Sequence, residues 1–386
     1  MSTTANASLL VDKARALRPL IERDAARAET ETTTTKAVVD ALAEAGLFWI
    51  LVPRDLGGAE AGIEDALGVF EELAYADGST GWSTMANVTS SCFASIYTSD
   101  EAAKTMFNTE SMGIHAGMLG PVGTALGTDD GFTVTGRYQF GSGCAHATWF
   151  GCGTQEVDAG GARLNDASGL PALRVVFLRS EQVTLLGNWD VLGLAGTGSY
   201  DYTVDDQFVG GGFSFPLLTA VPLRGGASYN VGLFGIVAAG HAGFALGVGA
   251  RALDELLTIV PTKQRMGQFT PVADEQLFQH DFAMHDAAMR AARAYVFDVF
   301  GAAEVAALAG GAPSLVQQQR MRQATTYATR VAADAARFAY TWAGTGALRN
   351  GSTLQRCFRD IHAGTQHVYV DNNTLTAYTQ ALLSER

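Results

Sequence analysis

Histidines are the side chains of this sequence most suited to proton transfer near neutral pH. The sequence contains seven of them, and an imidazole with an ordinary pKa of about 6.5 can take up or release a proton under those conditions. His280 and His285 could also bind a metal ion, but on a helix a spacing of five residues does not bring two imidazoles to one face as a spacing of four does. No third ligand lies nearby, so the sequence predicts no metal site.

The absence of several catalytic motifs argues against some common enzyme chemistries. The sequence lacks the G-x-S-x-G elbow of serine hydrolases, the Walker A loop and the H-E-x-x-H pair of zinc proteases. Gly247 to Ala252 does satisfy the G-x-G-x-x-A pattern of dinucleotide-binding turns, which needs a preceding strand and a βαβ unit. Because these residues lie inside a predicted helix, we expect the glycines to allow close helix packing instead.

The charge and composition of the chain limit its partners. A formal net charge of -13 over 386 residues repels phosphate backbones and anionic lipid, so neither nucleic acid nor a membrane surface is an expected partner. The four cysteines form no C-x-x-C pair, which is typical of reduced thiols in the cytoplasm. Tyr229 to Ala250 contains no charged residue and is long enough to cross a bilayer. A helix that is apolar all round is equally expected at the centre of a large helical domain, and we favour that interpretation.

The elements that must position the reactive side chains follow the order helices, strands, helices. Thr35 to Ala45 and the residues from Ile63 onward carry apolar side chains every three or four positions, as half-buried helices do. Phe132 to Phe140 alternates apolar and polar side chains, as a strand does. Further strands are predicted at 173–178 and 200–209, and helices from about residue 227 to 383. We therefore predict an α+β chain with an N-terminal helical domain (1–112), a central β domain (113–226) and a C-terminal four-helix bundle (227–386).

Five segments, spread in order along nearly the whole chain, resemble the acyl-CoA dehydrogenase superfamily. They are Ala45–Gly58 (AGLFWILVPRDLGG), Glu71–Trp82 (EELAYADGSTGW), Pro121–Ala125 followed by Phe140–Trp149 (FGSGCAHATW), Gly193–Ser199 (GLAGTGS) and Leu354–Asp360 (LQRCFRD). The resemblance implies the fold of that family, in which a flavin ring lies between the β domain and the C-terminal bundle.

The same resemblance implies which residues hold the flavin. Ser142 would lie near flavin N5, the segment from Ile114 to Leu119 would line the pyrimidine side, and Gly143 and Thr197 would also bind the cofactor. Arg265 has the spacing of the family arginine that reaches the flavin phosphates of a neighbouring subunit, which implies a homodimer or homotetramer. The aromatic residue and glycine that usually follow this arginine are replaced here by Gln268 and Phe269.

A missing base separates two activities within this superfamily. A dehydrogenase must remove a proton from the carbon beside a thioester, and its usual base is a carboxylate. One family position for that carboxylate lies eight or nine residues after an Arg-Asp pair, where this chain has His367 and Val368 after Arg359-Asp360. The other lies on the long buried helix, where residues 227–253 contain no Asp or Glu. The absence of both carboxylates argues against ordinary dehydrogenation.

His367 resembles instead the histidine of the two-component flavin-dependent monooxygenases built on this fold. Such an enzyme receives reduced flavin (FADH2 or FMNH2) from a separate reductase and uses O2 through a C4a-hydroperoxyflavin. The resemblance therefore implies hydroxylation of a small aromatic or heteroaromatic substrate, with His367, Ser142 and His115 as catalytic residues. His115 could orient a substrate hydroxyl or be an ordinary core histidine. N- or S-oxygenation by the same intermediate, a dehydrogenase with a relocated base and a non-catalytic binding protein remain alternatives.

Overall fold

Helices precede and follow a β-sheet in the computed structural model, which describes residues 3–108, 111–218 and 220–386. The helices before the sheet are α1 (Thr3–Ala16), α2 (Arg18–Glu31), α3 (Lys36–Glu44), α4 (Ile63–Ala76), α5 (Gly78–Tyr97) and α6 (Asp100–Met106). Those after it are α7 (Gly232–Ile259), α8 (Gln276–Leu308), α9 (Leu315–Ala343), α10 (Thr353–Gly364) and α11 (Asn373–Ser384). The predicted α+β order is confirmed.

The strands lie between α6 and α7 and form two sheets within the described residues. They are β1 (Phe107–Asn108), β2 (Ser111–Met112), β3 (His115–Gly127), β4 (Gly131–Gly141), β5 (Trp149–Val157), β6 (Leu173–Arg179), β7 (Thr184–Leu185), β8 (Tyr200–Gly210) and β9 (Ser214–Pro216). β1 and β2 pair with each other, and the larger sheet has the order β7-β8-β4-β3-β5-β6-β9. Its β3–β5 pair is parallel and its other pairs are antiparallel.

Helix α7 forms the centre of the helical part, where it packs against α4, α5, α9 and α10. A side chain at Gly247 would begin only 2.3 Å from the backbone oxygen of Glu71 on α4, so only glycine allows this approach. The G-x-G-x-x-A pattern is therefore a packing feature. The segment Ala227–Ile259 has the length and apolar composition of a membrane span, but 78% of its most apolar window is buried against the rest of the chain.

Two helix ends place the residues considered below. The carboxylate of Asp77 accepts a hydrogen bond from the backbone N–H of Thr80 at 2.9 Å and thereby caps α5, the helix that carries Trp82. The predicted helical ending of the chain is interrupted between α10 and α11 by a short 3₁₀ turn, Val368–Val370. His367 precedes this turn and accepts a hydrogen bond from its backbone, so it lies at a break between helices and not within one.

Candidate functional site

A chain of buried hydroxyl groups lies where β4 ends and β8 begins. The Oγ atoms of Ser142 and Ser199 are 2.8 Å apart, and that of Ser199 is 2.7 Å from Oγ1 of Thr197. The Thr197 hydroxyl donates to the backbone oxygen of Leu194 at 2.8 Å. Thr197 is fully buried, while Ser142 is 8% exposed, so the chain runs from the core toward Ser142.

The protons along this chain can point in only one direction. A carbonyl oxygen only accepts, so the single proton of Thr197 goes to Leu194. Ser199 must then donate to Thr197, and Ser142 must donate to Ser199. The indole N–H of Trp82 donates to Ser142 Oγ at 3.1 Å. Ser142 is therefore left with a free acceptor lone pair and no proton to give.

Trp82 connects the hydroxyl chain to a cluster of aromatic rings, the ring cluster, which comprises Trp82, His241, Phe244, His367 and Tyr369. The centroid of the Trp82 indole lies 4.9 Å from those of His241 and Phe244 and 5.7 Å from that of His367, with its plane nearly perpendicular to all three. The two imidazole centroids are 4.1 Å apart. Trp82 comes from α5, His241 and Phe244 from α7, and the other two from the break after α10, so separate segments meet here.

His367 has one ring nitrogen bound to the backbone and the other without a partner in the described chain. Its Nδ1 accepts the backbone N–H of Tyr369 at 3.3 Å, so in the neutral ring the proton is on Nε2. Burial lowers the pKa of His367 to about 4. Near neutral pH the side chain is thus an uncharged hydrogen-bond donor through Nε2, and no described carboxylate hydrogen-bonds to any ring of the cluster.

Asn87 on α5 fixes the turn that follows Ser142. Its amide donates to the backbone oxygen of His115 at 2.8 Å, and its Oδ1 lies 3.0 Å from Nε2 of His146. Gly143 adopts a left-handed conformation with φ 71°, and its N–H donates to the backbone oxygen of Thr197 at 2.9 Å. A Cβ atom at Gly143 would lie 2.4 Å from Asn87 Oδ1. The position therefore requires glycine both for its φ angle and for space.

Replacing Gly143 with alanine should destabilise the protein and distort the turn that carries Ser142. The left-handed backbone and the collision with Asn87 together should cost on the order of 1–3 kcal/mol, measured as a lower urea midpoint. The matched control is Gly351→Ala, because Gly351 also has a positive φ, 91°, but a Cβ atom there would meet no other atom within 4 Å. A Gly143→Ala variant no less stable than Gly351→Ala would contradict this account of the turn.

Comparison with known proteins assigns this chain to a family. Residues 6–128 match the acyl-CoA dehydrogenase N-terminal domain, and residues 239–372 match the acyl-CoA dehydrogenase C-terminal domain. The oxygenase subunit HsaA of a flavin-dependent monooxygenase from Rhodococcus jostii is 30% identical over 195 residues, which cover 50% of this chain and 48% of that protein. Indole-3-acetate monooxygenase of Pseudomonas putida is 30% identical over 353 residues, which cover 88% of this chain and 85% of that protein. The chain belongs to the flavin-dependent monooxygenase branch of the acyl-CoA dehydrogenase superfamily.

The fold of this monooxygenase matches that of solved relatives over almost its full length. XiaF from Streptomyces sp., solved in complex with FADH2 and glycerol, superposes with a TM-score of 0.91 at 20% identity and covers 99% of this chain and 96% of its own. The predicted acyl-CoA dehydrogenase-like fold is thereby confirmed.

His115 lies in the core of this monooxygenase, away from the hydroxyl chain. Its ring is 0% exposed and stacks on Phe107 with centroids 4.8 Å apart, while its Nδ1 lies 3.2 Å from Ser91 Oγ and its Nε2 3.4 Å from Met106 Sδ. Burial lowers the pKa of His115 to about 3. With both ring nitrogens contacting the protein, the surroundings favour the core-histidine alternative over substrate binding.

The other predicted flavin residues occupy different settings. Thr197 is buried and acts on Ser142 through Ser199, whereas Leu119 lies partly buried in an irregular stretch of β3. Arg265 is exposed in the connection between α7 and α8, with its guanidinium 4.3 Å above the Trp342 ring. It follows the end of α7, about 27 Å of helix beyond His241, so the described chain does not bring it to its own Ser142.

A buried ionic cluster holds the loop on which the hydroxyl chain ends. The Leu194 N–H donates to Asp360 Oδ1 at 2.6 Å, and Leu194 is the residue whose oxygen receives the Thr197 proton. Arg356 lies 3.0 Å from the Asp77 carboxylate, and Arg359 lies 2.7 Å from Glu29. Asp360 Oδ2 is buried without a hydrogen-bond partner in the described chain. The cluster links α2, α5 and α10 to the loop that carries Thr197.

Of the ring cluster only His367 was assigned a role from the sequence; Trp82, His241, Phe244 and Tyr369 were not. His241 is the only ionisable residue apart from tyrosine between Tyr229 and Ala250, and a histidine in a helix that is otherwise apolar is a usable indication of a buried polar site. Trp82 ends the segment EELAYADGSTGW, but nothing in its spacing shows that its indole would reach Ser142, 60 positions later.

Proposed function

We propose that this protein is the oxygenase component of a two-component flavin-dependent monooxygenase that hydroxylates a small aromatic or heteroaromatic substrate. The observation that carries the proposal is the hydroxyl chain, which ends at Ser142 as an acceptor and is joined by Trp82 to two histidines. Bound reduced FMN or FAD would supply the oxygen-transfer chemistry with O2, through a C4a-hydroperoxyflavin.

The residues around Ser142 fit a flavin ring. Leu119 to Val122 form no ladder pairs with β4 or β5, because the β3–β5 register shifts between Met118 and Gly123 and the β3–β4 pairing begins at Thr124. Backbone groups of this stretch, which lies outside the regular ladder, would contact the polar pyrimidine edge. Ser142, as an acceptor, suits the N5–H of reduced flavin and not the bare N5 of oxidised flavin. The chain's own groups thus favour the redox state that reacts with oxygen.

The ring cluster supports oxygenation over dehydrogenation. No described carboxylate hydrogen-bonds within it, so it lacks a ready base for a proton beside a thioester. Stacked and edge-on aromatic rings provide the flat apolar contacts that an aromatic substrate prefers. His367 would donate its Nε2–H to the oxygen being transferred or to the substrate. The similarity to a protein named indole-3-acetate monooxygenase also supports an aromatic substrate.

The proposal includes partners and location. A separate flavin reductase would supply the reduced cofactor, as befits an oxygenase component. Arg265, exposed beyond the end of α7, would reach the flavin of a neighbouring subunit in a homodimer or homotetramer. Four buried free cysteines fit a reducing, cytoplasmic setting.

One experiment tests the proposed function. The purified protein is mixed anaerobically with reduced FMN or FAD, oxygen is admitted, and the absorbance is followed in a stopped-flow instrument. We expect a transient flavin–oxygen adduct before oxidised flavin forms. Absence of the adduct together with reduction of bound flavin by an acyl-CoA would identify a dehydrogenase instead.

Replacing Thr197 with valine should weaken the preference for reduced flavin. Without the Thr197 hydroxyl, Ser199 loses the acceptor that fixes the direction of its proton, and the Ser142 proton is no longer committed to Ser199. We expect the ratio of Kd values for oxidised and reduced FMN to fall about fivefold, the equivalent of ~1 kcal/mol. Anaerobic titration monitored by fluorescence measures both constants. Thr154→Val is the control. It removes a buried hydroxyl that donates to the backbone oxygen of Arg174 in the sheet, and it should leave the ratio unchanged.

A further inference from the structure

His241 is a buried polar group inside an apolar environment. It lies on α7 and is 5% exposed, with the imidazole of His367 at 4.1 Å, the indole of Trp82 at 4.9 Å and the phenol ring of Tyr369 at 5.8 Å between centroids. Phe244, also on α7, makes an edge contact with Trp82 at 4.9 Å between centroids. The imidazole is thus enclosed by the rings that line the proposed substrate site.

Neither ring nitrogen of His241 hydrogen-bonds to any residue in the described part of the chain. Leaving a buried polar atom without a partner costs about 1–3 kcal/mol, so buried histidines that serve only in packing normally have their nitrogens satisfied. His115 is an example in this protein, since both of its nitrogens contact Ser91 or Met106. His146 keeps a fully buried Nδ1 without a partner, whereas the nitrogens of His241 have no partner but are not completely sealed by the described chain. His241 is therefore an unpaired polar group that a ligand can still reach.

The two histidines of the ring cluster offer complementary groups. The bare nitrogen of neutral His367 is Nδ1, which is already occupied by the Tyr369 N–H, so His367 offers only its Nε2–H. Neutral His241 likewise has one N–H donor and one bare nitrogen. That bare nitrogen has no hydrogen bond within the described chain, so it is free to accept one. Two imidazoles this close resist double protonation, because a proton on one repels a proton on the other.

We infer that His241 is the substrate-recognition residue of this site and accepts a hydrogen bond from an N–H or O–H group on the aromatic ring, while His367 acts as the donor. The inference rests on the proposed function and narrows its substrate class to aromatic compounds that carry such a donor, such as indoles or phenols. The substrate proton stays bonded to its own nitrogen or oxygen and is shared with the bare nitrogen of His241. That imidazole remains neutral, because burial, and next the nearby His367, lower the pKa of His241 well below its ordinary value.

Binding of two matched aromatic probes tests this inference without flavin or oxygen. Indole carries an N–H donor, and benzofuran has nearly the same shape with an oxygen in its place. Calorimetric titration of the flavin-free protein should give a Kd for indole about tenfold below that for benzofuran, the difference expected of one hydrogen bond in a buried site. The ratio should fall to about one in His241→Leu and be partly restored in His241→Gln, whose amide oxygen can accept. In His367→Leu the ratio should persist.

Each outcome decides the inference. A tenfold ratio that survives in His241→Leu, or a wild-type protein that does not distinguish the probes or bind indole, would overturn it. These results would leave the proposed function standing, because that depends on the flavin–oxygen adduct seen in the stopped-flow experiment. Loss of the adduct with an intact preference for indole would reject the proposed function and leave His241 as a hydrogen-bond acceptor for aromatic ligands.

Discussion

Replacing His367 with asparagine should uncouple oxygen consumption from product formation. Asparagine can keep an acceptor for the Tyr369 N–H, which holds the 3₁₀ turn, but it lacks the imidazole Nε2–H. Under the proposed function, reduced flavin should still be oxidised within about twofold of the wild-type rate, whereas product should fall about a hundredfold, a typical effect of removing one proton-transfer group. The lost product should appear as hydrogen peroxide, measured in a peroxidase-coupled assay.

His362 provides the control for this experiment. It lies on α10, five positions before His367, and its Nδ1 contacts the backbone oxygen of Phe358. His362→Ala should keep the wild-type ratio of product to peroxide. Undiminished hydroxylation in His367→Asn would remove His367 from the mechanism and leave the ring cluster as a binding site only.

Replacing Asp360 with asparagine should make the protein relatively more stable at alkaline pH. Burial, and next the negative charge of Asp77, raise the pKa of Asp360 to about 7. An aspartate in the unfolded chain titrates near 4, so the folded protein holds this proton more tightly. The resulting stabilisation is fully present below about pH 4 and is lost as the pH rises through about 7. Asparagine cannot ionise and escapes this loss.

Urea unfolding of the wild-type protein and of Asp360→Asn at a series of pH values measures this difference in stability. Between pH 5 and 9 the free energy of unfolding of wild-type protein should fall relative to that of Asp360→Asn, by on the order of a few kcal/mol. Asp40→Asn, which removes an exposed carboxylate paired with Lys36, is the matched surface control. A constant difference across this range would mean that Asp360 is ionised in the folded protein throughout and that Arg356 compensates its charge.

Periodicity in the sequence was sufficient to predict the main elements, and less so their ends. The strand predicted at 132–140 is β4, Gly131–Gly141, and those at 173–178 and 200–209 are β6 and β8. In β4 the alternation reflects Val134 and Tyr138 on the core and Thr135 and Arg137 in solvent, whereas β6 is a continuous apolar run because Val175 to Leu178 are all buried. The helix predicted through 354–383 is interrupted after Gly364, because backbone hydrogen bonds to His367 and capping at Asp371 replace the helical ladder there. Hydrogen bonds of this kind leave no periodic pattern in the sequence, so the interruption could not be predicted from it.

The site was only partly predictable, for a different reason. Ser142, Thr197 and His367 were identified through family-like segments in which each residue has a fixed neighbourhood. The partners that give them chemical roles come from elsewhere in the chain: Trp82 from α5, Ser199 from the residues that lead into β8 and His241 from α7. Their pairing depends on how separate helices and the sheet pack, and local sequence patterns do not predict such contacts. His115 shows the converse, since a histidine in a family-like position has an ordinary core environment.

The link from Asp360 to Leu194 also has a consequence for how the protein folds. The loop with the hydroxyl chain is held by α2, α5 and α10, segments separated by as many as 331 positions between Glu29 and Asp360. Contacts so distant in sequence form only after most of the chain has been brought together, because closing long loops carries an entropic cost that local contacts do not repay. The proposed flavin site is thus expected to assemble late. We expect the Leu194 amide to exchange its hydrogen only in openings that separate its loop from α10.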